Sequence, residues 1–224
     1  MANEISLTDC SLRSAEVSGR RPQDAWSAEL YAAKLHTFNT EIAEGFFARC
    51  VVLVEGVGDK AVLNAAYSIA KRNPHAEGIV IVDVTGKNNL DKPIVIFDEL
   101  DIPCYWVFDN DRGEGQGKPG SIKANHILQR LGGVAPDKVE DWPEGIFDRY
   151  AAWDYKLEDY VSEKAGRELF DSVSREVAEG FHIQPDVCLK FPASASFMLG
   201  MLAERGVQFG ELAAIIERVD YLLG

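Results

Sequence analysis

The ten residues Cys50-Val-Val-Leu-Val-Glu-Gly-Val-Gly-Asp59 constrain the fold more than any other stretch. Cys50 to Val54 are apolar and mostly β-branched, the composition of a strand buried on both faces. The strand runs directly into an acid, Glu55, and then into Gly56 and Gly58, which permit a sharp turn. Asp59 opens a helical pattern that continues to Ala70. Strand, acid, tight turn and helix make half of a βα unit. In open α/β sheets the functional crevice lies outside the carboxyl ends of the strands, which is where Glu55 and Asp59 fall.

Two further stretches repeat the theme. Gly78-Ile-Val-Ile-Val-Asp-Val84 reads as a second buried strand and Pro103-Cys-Tyr-Trp-Val-Phe108 as a third, the latter ending in Asp109-Asn-Asp111. Tyr150 to Tyr155 reads as a fourth strand, and Leu90 to Asp101 as a short helix with Pro93 in its first turn. The apolar steps over 24–48 spell a helical stripe, and helical patterns cover about 161–180, 193–205 and 209–223. Residues 1–22 read as a polar, disordered or loosely docked lead, and 133–149 as turns. Alternating strands and helices predict an α/β fold, a mainly parallel sheet flanked by helices. The expected division is a lead and helix over 1–47, a catalytic domain over 48–160 and an added helical segment over 161–224.

Composition narrows the function. A net charge of −13 on 224 residues argues against a passive nucleic-acid binder, which would carry a basic surface. It leaves room for an enzyme that meets phosphates through cations held by acids. The cysteines Cys10, Cys50, Cys104 and Cys188 are scattered, and so are the four histidines, so no zinc site is expected. Scattered cysteines and the absence of a signal-like or membrane-spanning run suggest a cytoplasmic setting. Gly113-Glu-Gly-Gln-Gly-Lys-Pro-Gly120 fails as a phosphate-binding Walker loop, because Pro119 follows Lys118 and Arg112 stands where the first glycine belongs. It reads instead as a loop beside a substrate groove.

The acids support more than one reading. Asp109 and Asp111, two apart at a strand end, together with Glu55 and Asp59, form a carboxylate set of the kind that holds magnesium or manganese. Asp59 also suits a helix N-cap, Asp109-Asn-Asp111 also suits a turn, and Asp83 is expected to cap the loop at Thr85. Glu55 has no evident structural task. Three readings follow from these residues: an enzyme of metal-assisted phosphoryl transfer, a phosphatase of the haloacid dehalogenase type, whose motif Phe108-Asp-Asn-Asp111 resembles, and a non-catalytic interaction module.

Leu53-Val-Glu-Gly-Val-Gly-Asp59 together with Phe108-Asp-Asn-Asp111 resembles the Toprim signature, a glutamate after the first strand and a D-x-D after a later one. Phe38-Asn-Thr-Glu-Ile-Ala-Glu-Gly-Phe-Phe-Ala-Arg-Cys-Val-Val-Leu-Val-Glu-Gly56 is similar to the entry of the Toprim half of OLD-family (overcoming lysogenization defect) nucleases. Leu157-Glu158 resembles that family's later acidic motif, and Lys190-Phe-Pro-Ala its downstream lysine segment. Lys156 departs from it, standing where a small hydroxyl residue is expected. The resemblance implies a compact Rossmann-like Toprim sheet and a DNA endonuclease using two Mg²⁺ or Mn²⁺ ions. It implies that Glu55, Asp59, Asp109, Asp111 and Glu158 hold the ions and that Lys190 steadies the charge on the scissile phosphate. It also implies an ATPase domain N-terminal to this region in a longer protein.

Overall fold

The structure, a computed structural model, describes residues 6–35, 40–112, 119–154 and 156–224. Its centre is a five-stranded sheet in the order β2-β1-β3-β5-β4, with β1 Cys50–Val54, β2 Ile79–Asp83, β3 Cys104–Asp109, β4 Gly145–Ile146 and β5 Tyr150–Trp153. The first four in this order are parallel, and β4 pairs antiparallel with β5 at the edge. Val54 stands opposite both Asp83 and Val107, so β1, β2 and β3 end at one rim.

Side chains alternate across a strand, and the two faces of the sheet bury two separate cores. Cys50, Val52, Val54, Tyr105 and Val107 face α4 (Val57–Ile69), α7 (Leu157–Ala165), α8 (Arg167–Phe181), α9 (Pro192–Glu204) and α10 (Gly210–Leu223). Val51, Leu53, Cys104, Trp106 and Phe108 face α5 (Asp91–Glu99) and α6 (Pro119–Leu131), together with α1 (Leu7–Val17) and Tyr31 of α2 (Ala28–Ala33). Helices on both faces explain why β1 and β3 read as unbroken apolar runs. Arg72, just past α4, ties α10 to this frame through Asp220 at 2.7 Å and through Glu77. These groups are partly exposed, so each pair contributes at most about 1 kcal/mol, less than one buried leucine.

Several local expectations need correction. The N-terminal lead is not loose. Ser6 caps α1 by accepting from the Asp9 N–H at 3.3 Å, and Cys10, Ser11, Ser14 and Ala15 are buried. Its polar groups are satisfied: Ser11 donates to the Trp26 carbonyl at 2.8 Å, and Ser14 lies 3.2 Å from the Tyr31 hydroxyl. The buried face is made of small residues, which carry little hydropathy and so resemble a solvated segment. The stripe over 24–48 contains two short helices, α2 and α3 (Thr40–Gly45), and the helix expected over 161–180 is broken at Gly166, whose φ of +74° ends α7. The two-residue β4 is too short to leave a period in the turn-rich segment. Tyr155 and most of the glycine-rich loop, including Lys118, lie outside the described residues.

Gly45 shows how tightly α3 meets the sheet. A Cβ there would stand 2.7 Å from Phe97 Cζ and 3.1 Å from Val51 Cγ2. Alanine gains up to about 1 kcal/mol in helix propensity but overpacks a ring and a strand, which costs about 1–3 kcal/mol. Gly45→Ala is therefore expected to lower the melting temperature by roughly 2–6 °C, at about 2–4 °C per kcal/mol for a chain of this size. An unchanged melt would mean that the Phe97 ring yields freely.

Candidate metal centre

Each acid reaches the rim by a different local device. Glu55 follows the last residue of β1, and its Oε1 accepts the Asp109 N–H at 2.8 Å, carrying the bonding between β1 and β3 beyond the last paired residues. Glu55 thus has a structural task that the sequence did not reveal. The loop after β2 docks on the same residue, with the Gly86 N–H donating to the Glu55 carbonyl at 2.7 Å. Asp59 is not the N-cap of α4. Gly56 holds that position, and Asp59 sits at the third helical residue, where Oδ2 accepts the Gly56 N–H at 3.1 Å. Asp83 behaves as expected, accepting the Thr85 N–H at 3.3 Å.

Two more distant segments complete the rim. Lys156 occupies the position before α7, with Glu158 in the first turn of that helix, and Lys190 precedes α9. Glu55, Asp59, Asp109, Glu158, Lys156 and Lys190 line one cavity of about 270 Å³, with Gly56, Gly58 and Gly86 in its wall. Five of the six residues singled out from the sequence are therefore brought together, across 135 positions of chain. Asp111 is not among them. It adopts φ +63°, and its carboxylate is paired with Lys87. The left-handed turn ends the alternation of the strand, so two acids two apart do not point the same way. The turn reading of this triplet is also realised: Asn110 accepts the Arg112 N–H at 2.8 Å and donates to the Pro143 carbonyl at 3.0 Å.

The electrostatics are those of crowded, half-sheltered carboxylates. Burial, followed by the negative charges of Glu55, Asp59 and Asp111, pushes Asp109 up to about 9 against the opposing charge of Lys87. Burial raises Glu55 to about 7, although the Asp109 N–H and Lys87 favour its charged form. Burial and then Glu158 raise Asp59 to about 6, opposed by the Gly56 N–H and Lys156. Among the described residues no three carboxylate, imidazole or thiolate groups form a ready-made ligand cluster. Glu55 and Asp59 each commit an oxygen to a backbone N–H, and like charges keep the acids apart. The donors are oxygens, and the negative charge is only partly balanced by lysine. This set fits a hard divalent cation such as Mg²⁺ or Mn²⁺. His126 instead contacts Asp141 at 2.8 Å, and all four cysteines are free and buried.

Gly58 is where the backbone makes room for this arrangement. A Cβ there would overlap Glu158 Oε1. Because the obstacle is the end of a flexible side chain, Gly58→Ala is expected to leave stability within about 0.5 kcal/mol while expelling Glu158 from its place. Mn²⁺ affinity should then fall about 10-fold or more, as when a group that positions a metal is lost. Unchanged affinity in a normally folded variant would remove Glu158 from the site.

A family model described as the overcoming lysogenization defect protein-like, TOPRIM domain matches residues 46–111. The chain carries an OLD-like Toprim domain. The matched span of the Toprim domain includes Glu55, Asp59, Asp109 and Asp111, whereas Glu158 and Lys190 join the same cavity by folding. A relative named "OLD nuclease" from Thermus scotoductus is 35% identical over 74 residues, 33% of this chain but only 14% of that protein. The fold is also that of solved OLD C-terminal regions. The one from Xanthomonas campestris pv. campestris shares 20% identity at a TM-score of 0.51, covering 80% of this chain and 96% of that one. The one from Burkholderia pseudomallei shares 17% identity at a TM-score of 0.55, covering 80% and 100%.

The sequence missed Lys87, Asn125 and the full role of Asn110. Lys87 is 7% exposed, and its Nζ donates to the Asp109 carbonyl at 2.7 Å and to Asn125 Oδ1 at 3.2 Å, besides pairing with Asp111. A single lysine in a Gly-Lys-Asn-Asn loop carries no periodic signal, and its partners are 22 to 38 positions away. Lys156 stood out in the sequence only as a departure from the family pattern.

Proposed function

We propose that the chain is the nuclease region of an OLD-type protein, a divalent-metal-dependent endonuclease that hydrolyses DNA phosphodiesters by a two-metal mechanism. The observation that carries this reading is the meeting of Glu55, Asp59, Asp109, Glu158 and Lys190 in one cavity at the carboxyl rim of an OLD-like Toprim sheet. The name of the Thermus scotoductus relative agrees with it. Residues 48–160 serve as the catalytic unit, with 161–224 as the helical segment packed on it. An ATPase domain preceding this region in a longer protein is part of the same proposal.

Glu55, Asp59, Asp109, Glu158 and, from the neighbouring turn, Asp111 would hold Mg²⁺ or Mn²⁺. Bound divalent ions supply charge neutralisation at the phosphodiester and a more acidic water. The protein groups do the rest. Glu55 locks the ends of β1 and β3 in register through the Asp109 N–H. Lys190 and Lys156, which line the same cavity as the acids, would offer ammonium groups to a phosphate oxygen that otherwise meets only negative charge.

The decisive test incubates supercoiled plasmid with the chain in Mg²⁺ or Mn²⁺, with and without EDTA, beside a phosphomonoester assay. Metal-dependent nicking and linearisation are expected. Cleavage undiminished by EDTA, or phosphomonoester hydrolysis without plasmid cutting, would overturn the proposal. With a net charge of −13 few phosphates can be gripped. DNA affinity should fall with salt at a log–log slope shallower than about −4, since each duplex phosphate contact adds about 0.9. A discrete fragment ladder on unrelated plasmids would contradict the expected lack of sequence preference.

A further inference from the structure

Lys87 is an unusual neighbour for a cation-binding centre. A buried ammonium costs free energy unless its donors are satisfied, and here three oxygens surround it: the Asp111 carboxylate, the Asp109 carbonyl at 2.7 Å and Asn125 Oδ1 at 3.2 Å. Asn125 is itself fixed, donating to the carbonyls of Asn110 at 2.9 Å and Asp141 at 2.8 Å. Two of the three oxygens around Lys87 are neutral and anchored. The third is a charged side chain that is 26% exposed on a turn beside the acids of the rim.

We propose that Lys87 is the resident counter-cation of Asp111, a positioning residue that gives up this carboxylate to a second divalent ion only after a first ion has settled on Glu55, Asp59 and Asp109. The inference rests on reading the rim as a divalent metal centre. Those three acids have no lysine or arginine ion pair among the described residues, whereas Asp111 has one, so the first ion has no such pair to break. A second ion that recruits Asp111 must break an ion pair already in place. Lys87 keeps its bonds to the Asp109 carbonyl and Asn125 during the exchange, so the displaced ammonium is not left bare. The arrangement makes the two binding steps unequal and keeps Asp111 neutralised when metal is scarce.

The test is Mn²⁺ titration by calorimetry on the metal-free chain, compared with Lys87→Met, Lys87→Gln and Asp111→Asn, with thermal melts of each. The wild-type chain should show a tight and a weak step. Both Lys87 variants should tighten the weak step about tenfold, the scale of one charge-assisted hydrogen bond, with a smaller change in the tight one. Asp111→Asn should abolish the weak step and keep the tight one. If the Lys87 variants do not fold, Asp111→Asn decides alone, and loss of the tight step or retention of both overturns the proposal. Two steps that do not respond to Lys87, or that shift by the same factor, overturn it while leaving the metal centre intact. A single step in wild type and Lys87 variants alike also overturns it. No Mn²⁺ binding by the wild-type chain overturns the metal centre and this inference with it.

Discussion

Asp109→Ala is expected to reduce plasmid cleavage by roughly 10²–10³-fold or more, the loss seen when a group that stabilises developing charge is removed, while the metal-free chain melts at a higher temperature than wild type. Both effects have one cause. Asp109 is the acid whose charge is most opposed, by burial and then by Glu55, Asp59 and Asp111. Among the described residues no hydrogen-bond donor reaches its carboxylate. Removing it relieves that opposition in the metal-free chain and, on the proposed reading, takes away an oxygen ligand. Glu55 behaves differently, because its Oε1 accepts the Asp109 N–H. Glu55→Ala orphans that donor, at a cost of about 1–3 kcal/mol that offsets the relief. Glu55→Gln retains an acceptor and removes only the charge. Cleavage should be lost in all three variants, with stability raised in Asp109→Ala and Glu55→Gln and near wild type in Glu55→Ala. A sharp drop in melting temperature for Asp109→Ala would assign this residue to the scaffold. Cleavage near the wild-type rate by Asp109→Ala would remove it from the chemistry.

In EDTA, the stability of the chain should fall as the pH rises from about 5 to 9, and Mn²⁺ should flatten that slope. The sign follows from linkage. Asp109 at about 9, Glu55 at about 7 and Asp59 at about 6 all lie above their ordinary values of 3.8, 4.5 and 3.8. The folded chain therefore holds protons that the unfolded chain has released. The stability this contributes is fully present below about pH 4 and is lost as each folded value is passed, Asp59 first and Asp109 last. Glu77 works in the opposite sense, because its bonds to Arg72 lower it below 4.5, so its contribution fades as the solution becomes acidic. The metal-free optimum then falls near pH 5, and the melting temperature should drop on the order of 5–10 °C by pH 9. Asp109→Asn should remove most of the alkaline fall. A melting temperature that is constant or rises between pH 6 and pH 9 in EDTA would show that the acids are already neutralised by protein groups.

The legible parts of this protein were those whose signal is local. Cys50 to Val54 and Cys104 to Phe108 were legible as strands because short β-branched and aromatic runs bounded by turn signals suit a strand buried on both faces. Glu55 and Asp59 fall at a strand end and in a helix start for reasons contained in ten residues. The first helix was misread because Cys10, Ser11, Ser14 and Ala15 look solvated until a partner helix covers them and Trp26 and Tyr31 take up their hydroxyls. Resemblance to a family pointed to Glu158 and Lys190, but only the packing of α7 and α9 on α4 puts them beside Glu55.

By itself, then, the sequence determined a parallel α/β sheet with acids at its carboxyl rim, since apolar runs and glycine turns act through near neighbours in the chain. Only the tertiary structure decided which of those acids share a cavity and which are already held. Asp111 was indistinguishable from Asp109 in the sequence, yet one lines the cavity and the other is bound by Lys87. The difference arises from a left-handed turn and a buried ammonium brought from 24 residues away. Charge–charge energies depend on separation and burial in space, and neither quantity is written in the spacing of residues along a chain.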